Sequence, residues 1–412
     1  MARNSSSVSQ ASPPVAEAGA SSTTSPVARC RVGLSLLYVS FGRMGGAATY
    51  AVGILRELLA RGQHDYFLFT PSRMMDRWKD LLPTEPASFI PCDVHPDSRP
   101  RRVLFEQFRL PGEARRRAID VVYFPHMIAP RWRTPASVVT IYDLLFLSGK
   151  ATDFSWSKRR YLEWTHRQFR GRDCHVVTIS EFCREDIHRR LAIPLDRIGV
   201  TPIGIDPVFR QPSMQPAAEL ASLPTQYFLS VAAAYPHKRL DIAIAAFEQI
   251  AQPHESLVLA GTRSGTESSL KRLLGRIAAS PKQARIHVLP PLPRHALPEL
   301  YSRAIGLVSA SEFEGFGIPA VEAMAVGCPV AASPAEAIVE VLGGNGWLAS
   351  DFTAEALATV MREVRQVRQR EPRKIERARE RAFRLYAWEN AATALEAALA
   401  TAASRHGHAH SV

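Results

Sequence analysis

The segment SASEFEGFGIPAVEAMAVGCPVAAS, residues 309–333, decides the fold of this 412-residue chain. An apolar strand ends at Ser309–Ser311, two glycines flank Phe316, and Pro319 stands at a favourable first position of a helix. The apolar run at 329–333 then predicts the next buried strand. A strand, a glycine turn, a helix and a second strand make one βαβ unit of a parallel sheet.

The same alternation extends through most of the chain and predicts an α/β fold, with parallel sheets covered on both faces. In the C-terminal half the other predicted strands are 227–234, 256–261, 285–290 and 304–311, and the helices are 239–251, 266–279, 294–303, 319–326, 353–386 and 388–404. In the N-terminal half the strands are 30–40, 64–70, 87–91, 120–125, 136–144 and 175–180, and the helices are 51–62, 74–81, 101–119, 157–171 and 181–191.

Residues 202–224 are rich in proline and poor in periodic apolar residues, so we predict the domain boundary there. Of the first 29 residues, 20 are Ser, Ala, Pro, Thr or Gly, which predicts disorder. The predicted organisation is a disordered tail at 1–29, an N-terminal domain at 30–205, a linker at 206–226, a C-terminal domain at 227–386, a helix at 387–405 packing back toward the N-terminal domain, and a tail at 406–412.

The chain is basic, with 51 Lys and Arg against 39 Asp and Glu. Residues 1–200 hold 29 basic and 19 acidic side chains, so most of the excess lies in the N-terminal half. A content of 46% hydrophobic residues excludes wholesale disorder. The five cysteines lack metal-ligand spacing, which argues against a zinc module and a disulfide framework and favours a reducing compartment. No apolar run is long enough for a transmembrane helix, and no secretion signal is recognised.

The residues around Phe316 also predict a binding site. Backbone N–H groups near Phe316–Ala320, at the helix start, suit a diphosphate. Glu314 and Glu322 are eight residues apart, so their carboxylates are expected to face one cleft, one toward a sugar and one toward a ribose diol. The structural alternative makes Glu314 a surface loop residue and Glu322 a first-turn acid that interacts with the helix dipole.

The string EGFGIPAVEAMAVGCPV, residues 314–330, resembles the Glu-x7-Glu signature of the GT-B glycosyltransferases, and within them the retaining family 4 enzymes. The likeness covers about residues 31–400, including FGRMGGAATYAVGILREL at 41–58 and FLSVAAAYPHKRLDIAIAAF at 228–247. It implies two Rossmann-like, doubly wound domains facing a central cleft, with the acceptor on the first domain and a nucleotide sugar on the second.

The resemblance also implies roles for single residues. Glu314 would contact hydroxyls of the donor sugar, Glu322 the ribose, and Lys238 the diphosphate leaving group. Glycines would let the backbone approach the diphosphate closely. The remaining implied donor-binding residues are Gly45, Gly46, Arg239, Gly315, Phe316 and Gly317.

Three positions depart from the family pattern. Ala232 and Ala233 stand where a Gly-Arg pair is common, so phosphate charge falls on Lys238, Arg239 or His237. Arg239 itself stands where Asn is common, and Tyr142 replaces a His that faces the donor sugar.

The candidate catalytic residues are Glu314, Lys238, Tyr142 and Asp143. Asp143 and His126 lie at the ends of predicted strands, and their roles stay open. Asp143 either binds an acceptor hydroxyl or caps the following segment. His126 is expected to be structural or acceptor-side rather than a catalytic base.

The expected function is retaining, metal-independent and cofactor-free transfer of a hexose, with mannose from GDP-mannose as the first guess. The expected acceptor is a lipid-linked glycan or polysaccharide. Alternatives are an epimerase or disaccharide synthase, a non-catalytic basic binder of nucleic acid, and an inactive scaffold. The basic N-terminal half, with Arg mixed among apolar residues at 101–117, suits a cytoplasmic protein at an anionic membrane surface. Packing of that helix on its own sheet is the alternative, and binding to nucleic acid is not expected.

Overall fold

A computed structural model describes residues 29–38, 46–95, 98–130, 135–149, 156–171, 174–211 and 217–409. The first sheet contains seven strands, all parallel, in the order β3-β2-β1-β4-β5-β6-β7. Its strands are β1 Arg31–Ser35, β2 Asp65–Pro71, β3 Ala87–Cys92, β4 Val121–Phe124, β5 Ala136–Thr140, β6 Cys174–Thr178 and β7 Ile198–Val200. The helices of this half are α1 Gly46–Arg61, α2 Met75–Leu81, α3 Arg99–Leu104, α4 Leu110–Arg116, α5 Trp156–Arg167, α6 Glu181–Leu191 and α7 Pro207–Arg210.

The second sheet contains six parallel strands in the order β10-β9-β8-β11-β12-β13. They are β8 Tyr227–Val231, β9 Ser256–Ala260, β10 Ile286–Val288, β11 Gly306–Ser309, β12 Val330–Ala332 and β13 Trp347–Leu348. The helices are α8 Leu240–Ile250, α9 Glu267–Ala278, α10 Leu297–Arg303, α11 Ile318–Ala325, α12 Glu336–Leu342, α13 Ala354–Val364, α14 Val367–Arg370, α15 Pro372–Leu385 and α16 Trp388–Ala409. The prediction of two doubly wound parallel-sheet domains is confirmed.

Each sheet has one point where the strand order reverses. In the first sheet it lies between β1 and β4, and in the second between β8 and β11. Open parallel sheets bind ligands in the crevice outside the carboxyl ends of their strands at such points. The topology therefore marks one candidate site in each domain.

The stretch predicted as helical at 101–119 is helical from Arg99 to Arg116, but the helix is irregular. A π-helical turn at Phe105–Arg109 separates α3 from α4. The turn buries Glu106, while Leu104 and Phe108 remain 57% and 67% exposed. Leu110 and Ala114 pack inside the domain, so this stretch both covers its own sheet and presents apolar side chains to solvent.

Helix α16 lies against α1 and against strands β4 to β7 of the first sheet. Its first residue, Trp388, is seated between the backbones of Gly53 and Gly204, where an added Cβ atom would overlap the indole ring at either position. The absence of side chains at these two glycines is therefore what admits the ring.

Candidate active site

Lys238 and Glu314 meet at the carboxyl ends of β8 and β11. Lys238 ends a short 3-10 turn at Pro236–Lys238, and Glu314 lies in the loop that joins β11 to α11. The Lys238 Nζ donates to Glu314 Oε2 at 2.6 Å, and the Ser311 Oγ donates to Glu314 Oε1 at 2.7 Å. Both carboxylate oxygens are thus held, at the reversal point of the second sheet.

A narrow cavity surrounds this pair. Its walls come from the ends of β8 and β11 and from the start of α11, and they include Ser230, Ala232, Lys238, Ser309, Ser311, Glu314, Gly317, Pro319 and Ala320. Ser311 was not singled out from the sequence, because no motif marks a serine hydroxyl that donates to a carboxylate three residues later. The cavity joins the predicted cation, carboxylate and helix start.

Fewer backbone N–H groups can bind an anion at the start of α11 than the sequence predicts. Gly317 has φ of 108° and precedes α11, a conformation that favours glycine. The N–H groups of Ala320 and Val321 already donate to the Gly317 carbonyl. Pro319 has no N–H, so only the N–H groups before it are left for an anion, and the inclusion of Ala320 among the donors is wrong.

Gly315 and Gly46 lie where the two domains touch. The Gly315 carbonyl accepts a hydrogen bond from Ser180 Oγ at 2.7 Å. A Cβ atom added to Gly315 would lie 3.1 Å from the Asp143 Cβ, and one added to Gly46 would lie 3.2 Å from the Ile318 Cδ1. Close packing at the domain junction therefore leaves little room for a side chain at either position. Gly45, predicted beside them, lies outside the described residues.

Asp143 lies at the domain junction, against Gly315. Its Oδ1 accepts from the Leu145 N–H at 2.9 Å, which is the capping contact left open by the sequence. Burial raises the pKa of the carboxyl group, the Leu145 hydrogen bond and the positive charge of Lys238 lower it, and the Glu314 charge raises it. Asp143 lies beside Gly315, the neighbour of Glu314 in the chain.

Tyr142 uses its hydroxyl within the first domain. The hydroxyl donates to the Pro125 carbonyl at 2.7 Å, and the Ala47 carbonyl is 3.2 Å away. Burial raises the pKa of the phenol, so the group stays protonated. Its contacts hold together the segments after β4 and β5, next to Asp143.

Arg239 and His237 differ from Lys238 although they are its neighbours. Arg239 has φ of 46°, and its guanidinium pairs with Asp241 at 3.1 Å and with Glu312. It does not line the cavity that holds Lys238. Burial, with a smaller effect from Lys238, lowers the pKa of His237 to about 4, so this imidazole is neutral near pH 7. Lys238 is thus the cation of the three that lies on the cavity wall.

Glu322 does not share the cavity of Glu314. It is the fifth residue of α11, only 4% exposed, so its predicted place in the first turn is wrong. Tyr301 donates to Glu322 Oε2 at 2.8 Å, and Arg294 Nη1 lies 3.1 Å from Oε1. Burial raises the pKa of Glu322, while the Arg294 charge opposes this shift. Sequence analysis missed Arg294 and Tyr301, because no motif marks them.

Comparisons with known proteins agree with this geometry. Residues 44–209 match the family described as Glycosyltransferase Family 4, and residues 215–381 match the family described as Glycosyl transferases group 1. The chain belongs to the GT-B glycosyltransferases of family 4 type. Among solved structures, HepE of Anabaena, in complex with UDP-glucose, has a TM-score of 0.70 at 17% identity and covers 90% of this chain and 100% of its own. At that identity the likeness supports the fold.

Two curated relatives are informative for this family member. The O-antigen chain mannosyltransferase B of Escherichia coli is 28% identical over 246 residues, which cover 57% of this chain and 61% of the relative. The D-inositol 3-phosphate glycosyltransferase of Xylanimonas cellulosilytica is 30% identical over 232 residues, which cover 54% and 55%. These matches therefore span between half and two thirds of the relatives' length.

The described part of the chain contains neither a metal-binding cluster nor a membrane-spanning helix. Among those residues, no three His, Cys, Asp or Glu side chains are grouped so that they would hold a metal ion together. No described helix has the length and hydropathy needed to span a bilayer.

Proposed function

We propose that this chain transfers a hexosyl group from a nucleoside diphosphate sugar to a glycan acceptor with retention at the anomeric carbon. The observation that carries the proposal is the Lys238–Glu314 pair at the reversal point of the second sheet. A lysine there suits a diphosphate, and a carboxylate fixed by Ser311 suits sugar hydroxyls. The proposal includes no resident cofactor and no metal ion.

In the proposed reaction an acceptor hydroxyl oxygen attacks the anomeric carbon on the face from which the diphosphate departs. The bond between the anomeric carbon and the diphosphate oxygen breaks, and that oxygen takes the acceptor proton. Lys238 exchanges Glu314 for the diphosphate and offsets the charge of the leaving group. The protein thereby contributes position and electrostatic stabilisation rather than a nucleophile.

GDP-mannose is the proposed donor, supported by the relative named as an O-antigen mannosyltransferase. A thermal-shift screen of GDP-, UDP- and dTDP-sugars tests it. We expect GDP-mannose to raise the Tm most, because a ligand at 100 times its Kd stabilises the folded state by about 2.7 kcal/mol. The matched variant Lys238→Met should lose most of the shift. Preferential stabilisation by a UDP-sugar would overturn the donor assignment, and no shift with any donor would count against the enzyme.

Product analysis separates the alternative activities. With labelled donor and bacterial membranes, we expect label in a lipid-linked or polymeric glycan. Label confined to a soluble disaccharide or to an isomerised sugar nucleotide would identify a disaccharide synthase or an epimerase instead. Turnover absent with every common donor would favour an inactive scaffold.

A membrane partner is also part of the proposal, with the chain acting in the cytoplasm at the inner membrane face. On α5, Trp156, Arg160 and Trp164 recur every four residues, and the two indoles are 77% and 54% exposed. Exposed Leu104 and Phe108 lie on the helical stretch before β4. Exposed tryptophan mixed with arginine is typical of a surface that enters the headgroup region of an anionic bilayer.

The topology supports one continuous membrane-facing surface. The α3–α4 stretch connects β3 to β4, and α5 connects β5 to β6, in the same direction across the sheet. Right-handed crossovers in one direction place their helices on one face. Phe105 and Leu162, one from each segment, pack against the same buried cluster.

Vesicle flotation tests this surface. We expect wild-type protein to float with phosphatidylglycerol vesicles. The double variant Trp156→Ser/Trp164→Ser should bind the vesicles about tenfold more weakly, since each indole buries a large apolar area. Leu274→Ser is the matched control, because Leu274 is 47% exposed on the second domain. Equal binding by wild type and double variant, or tighter binding to DNA than to vesicles, would contradict the proposed partner.

A further inference from the structure

The two residues on either side of Glu314 both contact the first domain. The ring of Phe313 lies 6.0 Å from the ring of Phe182, edge to face. The carbonyl of Gly315 accepts a hydrogen bond from Ser180 Oγ at 2.7 Å. The backbone before and after Glu314 is therefore held by side chains of the other domain.

Ser180 and Phe182 belong to the start of helix α6. Ser180 is the N-cap residue, and its buried Oγ accepts from the Cys183 N–H at 3.1 Å while it donates to Gly315. One hydroxyl group thus joins the end of a first-domain helix to the loop that carries Glu314.

Glu340 of the second domain fixes the same helix end. It lies on α12, and its two carboxylate oxygens accept from the N–H groups of Glu181 and Phe182 at 2.9 Å and 2.8 Å. The N–H groups of a first helical turn have no acceptor within their own helix, and the helix dipole favours an anion beside them. A carboxylate of one domain therefore caps a helix of the other, and α12 packs against α6.

These contacts matter most when donor is bound. The side chain of Glu314 is held by Lys238 and by Ser311. In the proposed reaction Lys238 exchanges Glu314 for the diphosphate, so one of those two contacts is lost as the sugar arrives. The position of the Glu314 carboxylate then depends on Ser311 and on the backbone around Glu314, which the first domain contacts on both sides.

We propose that Ser180 and Glu340 are positioning residues that hold the backbone around Glu314 for sugar transfer. Glu340 fixes the start of α6, and Ser180 joins that helix end to the Gly315 carbonyl. The inference rests on the proposed function, since it concerns the same carboxylate. It makes the first domain a part of the donor site.

Steady-state kinetics of Glu340→Ala and Glu340→Gln test the role of Glu340. In Glu340→Ala we expect kcat to fall about tenfold, as loss of charged hydrogen bonds predicts, with the KM for donor unchanged because the proposed donor contacts lie on the second domain. Glu340→Gln keeps one carbonyl oxygen for one of the two N–H groups, so its kcat should lie between those of wild type and Glu340→Ala.

Glu336→Ala is the matched control for Glu340→Ala, because Glu336 is an exposed glutamate of the same helix, and its kcat should equal that of wild type. An active wild type with an unchanged kcat in Glu340→Ala would overturn the positioning role and leave the proposed function standing. A raised KM for donor with an unchanged kcat would also overturn it, since it would make Glu340 a contributor to donor binding alone.

Ser180→Ala removes the contact with Gly315 and the cap of α6 together, so a second cap variant separates the two effects. Thr266 is the N-cap of α9, where its Oγ1 accepts from the Ser269 N–H at 3.2 Å. Ser180→Ala and Thr266→Ala should both lower the Tm, because each removes a helix cap. Only Ser180→Ala should lower kcat. An equal loss of kcat in both variants, or no loss in either, would show that the Gly315 contact has no part in transfer.

Alkylation of Cys183 tests the junction without donor or turnover. Cys183 is buried, and its Sγ donates to the Gly315 carbonyl at 3.2 Å. If Glu340 holds α6 to the second domain, N-ethylmaleimide should label Cys183 about tenfold faster in Glu340→Ala, since the junction opens more often. Peptide mass spectrometry measures the rate. Cys174 and Cys328, buried in the first and second domains, should label as slowly as in wild type. An unchanged rate at Cys183, or an equal rise at all three thiols, would overturn the proposal whether or not transfer is detected.

Discussion

Replacing Glu314 by Gln should lower kcat/KM for sugar transfer by about 10²–10³-fold, the loss typical of a preorganised polar group at a reacting centre. Both Glu314 oxygens are held, by Lys238 and by Ser311, so the carboxylate is fixed before donor arrives. The substitution keeps the side-chain volume and removes the charge that orients Lys238. Initial rates at several donor and acceptor concentrations, together with the Tm of the variant, measure the effect.

Glu336→Gln is the matched control for Glu314→Gln. Glu336 is an exposed glutamate at the start of α12, in the same domain, and its replacement should leave the rate unchanged. If Glu314→Gln retained transfer within about threefold of wild type, Glu314 would be no more than a surface loop residue that pairs with Lys238. A large fall in its Tm would instead assign Glu314 to stability.

The sequence predicts the second domain well, because local chemistry and fold agree there. Residues 309–333 combine a strand end, a positive-φ glycine and a helix-starting proline, and each is a local signal. The position of Glu322 is different, since its environment depends on Tyr301 and Arg294 from the preceding helical region. The position of a carboxylate along a helix gives only its direction, and the tertiary partner decides whether the group faces a cleft or pairs with a cation.

The basic triplet at 237–239 shows the same limit. From the sequence alone, His237, Lys238 and Arg239 are equivalent candidates for binding a phosphate. The left-handed backbone at Arg239 separates its side chain from that of Lys238, and Glu312 and Asp241 then neutralise it. Neither the φ angle nor the long-range pairing has a sequence signal. Similarly, nothing in the apolar pattern of 101–119 indicates the π-helical turn that buries Glu106.

The packing of Trp388 between Gly53 and Gly204 leads to the largest expected effect on stability. Gly53→Ala and Gly204→Ala should each lower the free energy of unfolding by about 2–3 kcal/mol, as overpacking against rigid groups does. In both cases the added methyl group would overlap the indole ring rather than the end of a flexible chain. Chemical denaturation with urea measures the change.

Gly275→Ala is the matched control, because Gly275 lies within α9 and an added Cβ atom meets nothing within 4 Å. That variant should gain about 0.5–1 kcal/mol, since alanine is the better helix former. A double-mutant cycle with Trp388→Leu then assigns the cause. If the indole causes the clash, Gly53→Ala should cost much less once the ring is gone. An unchanged cost in the Trp388→Leu background would mean that α1 itself requires Gly53, and that α16 is held to the first domain by its other contacts.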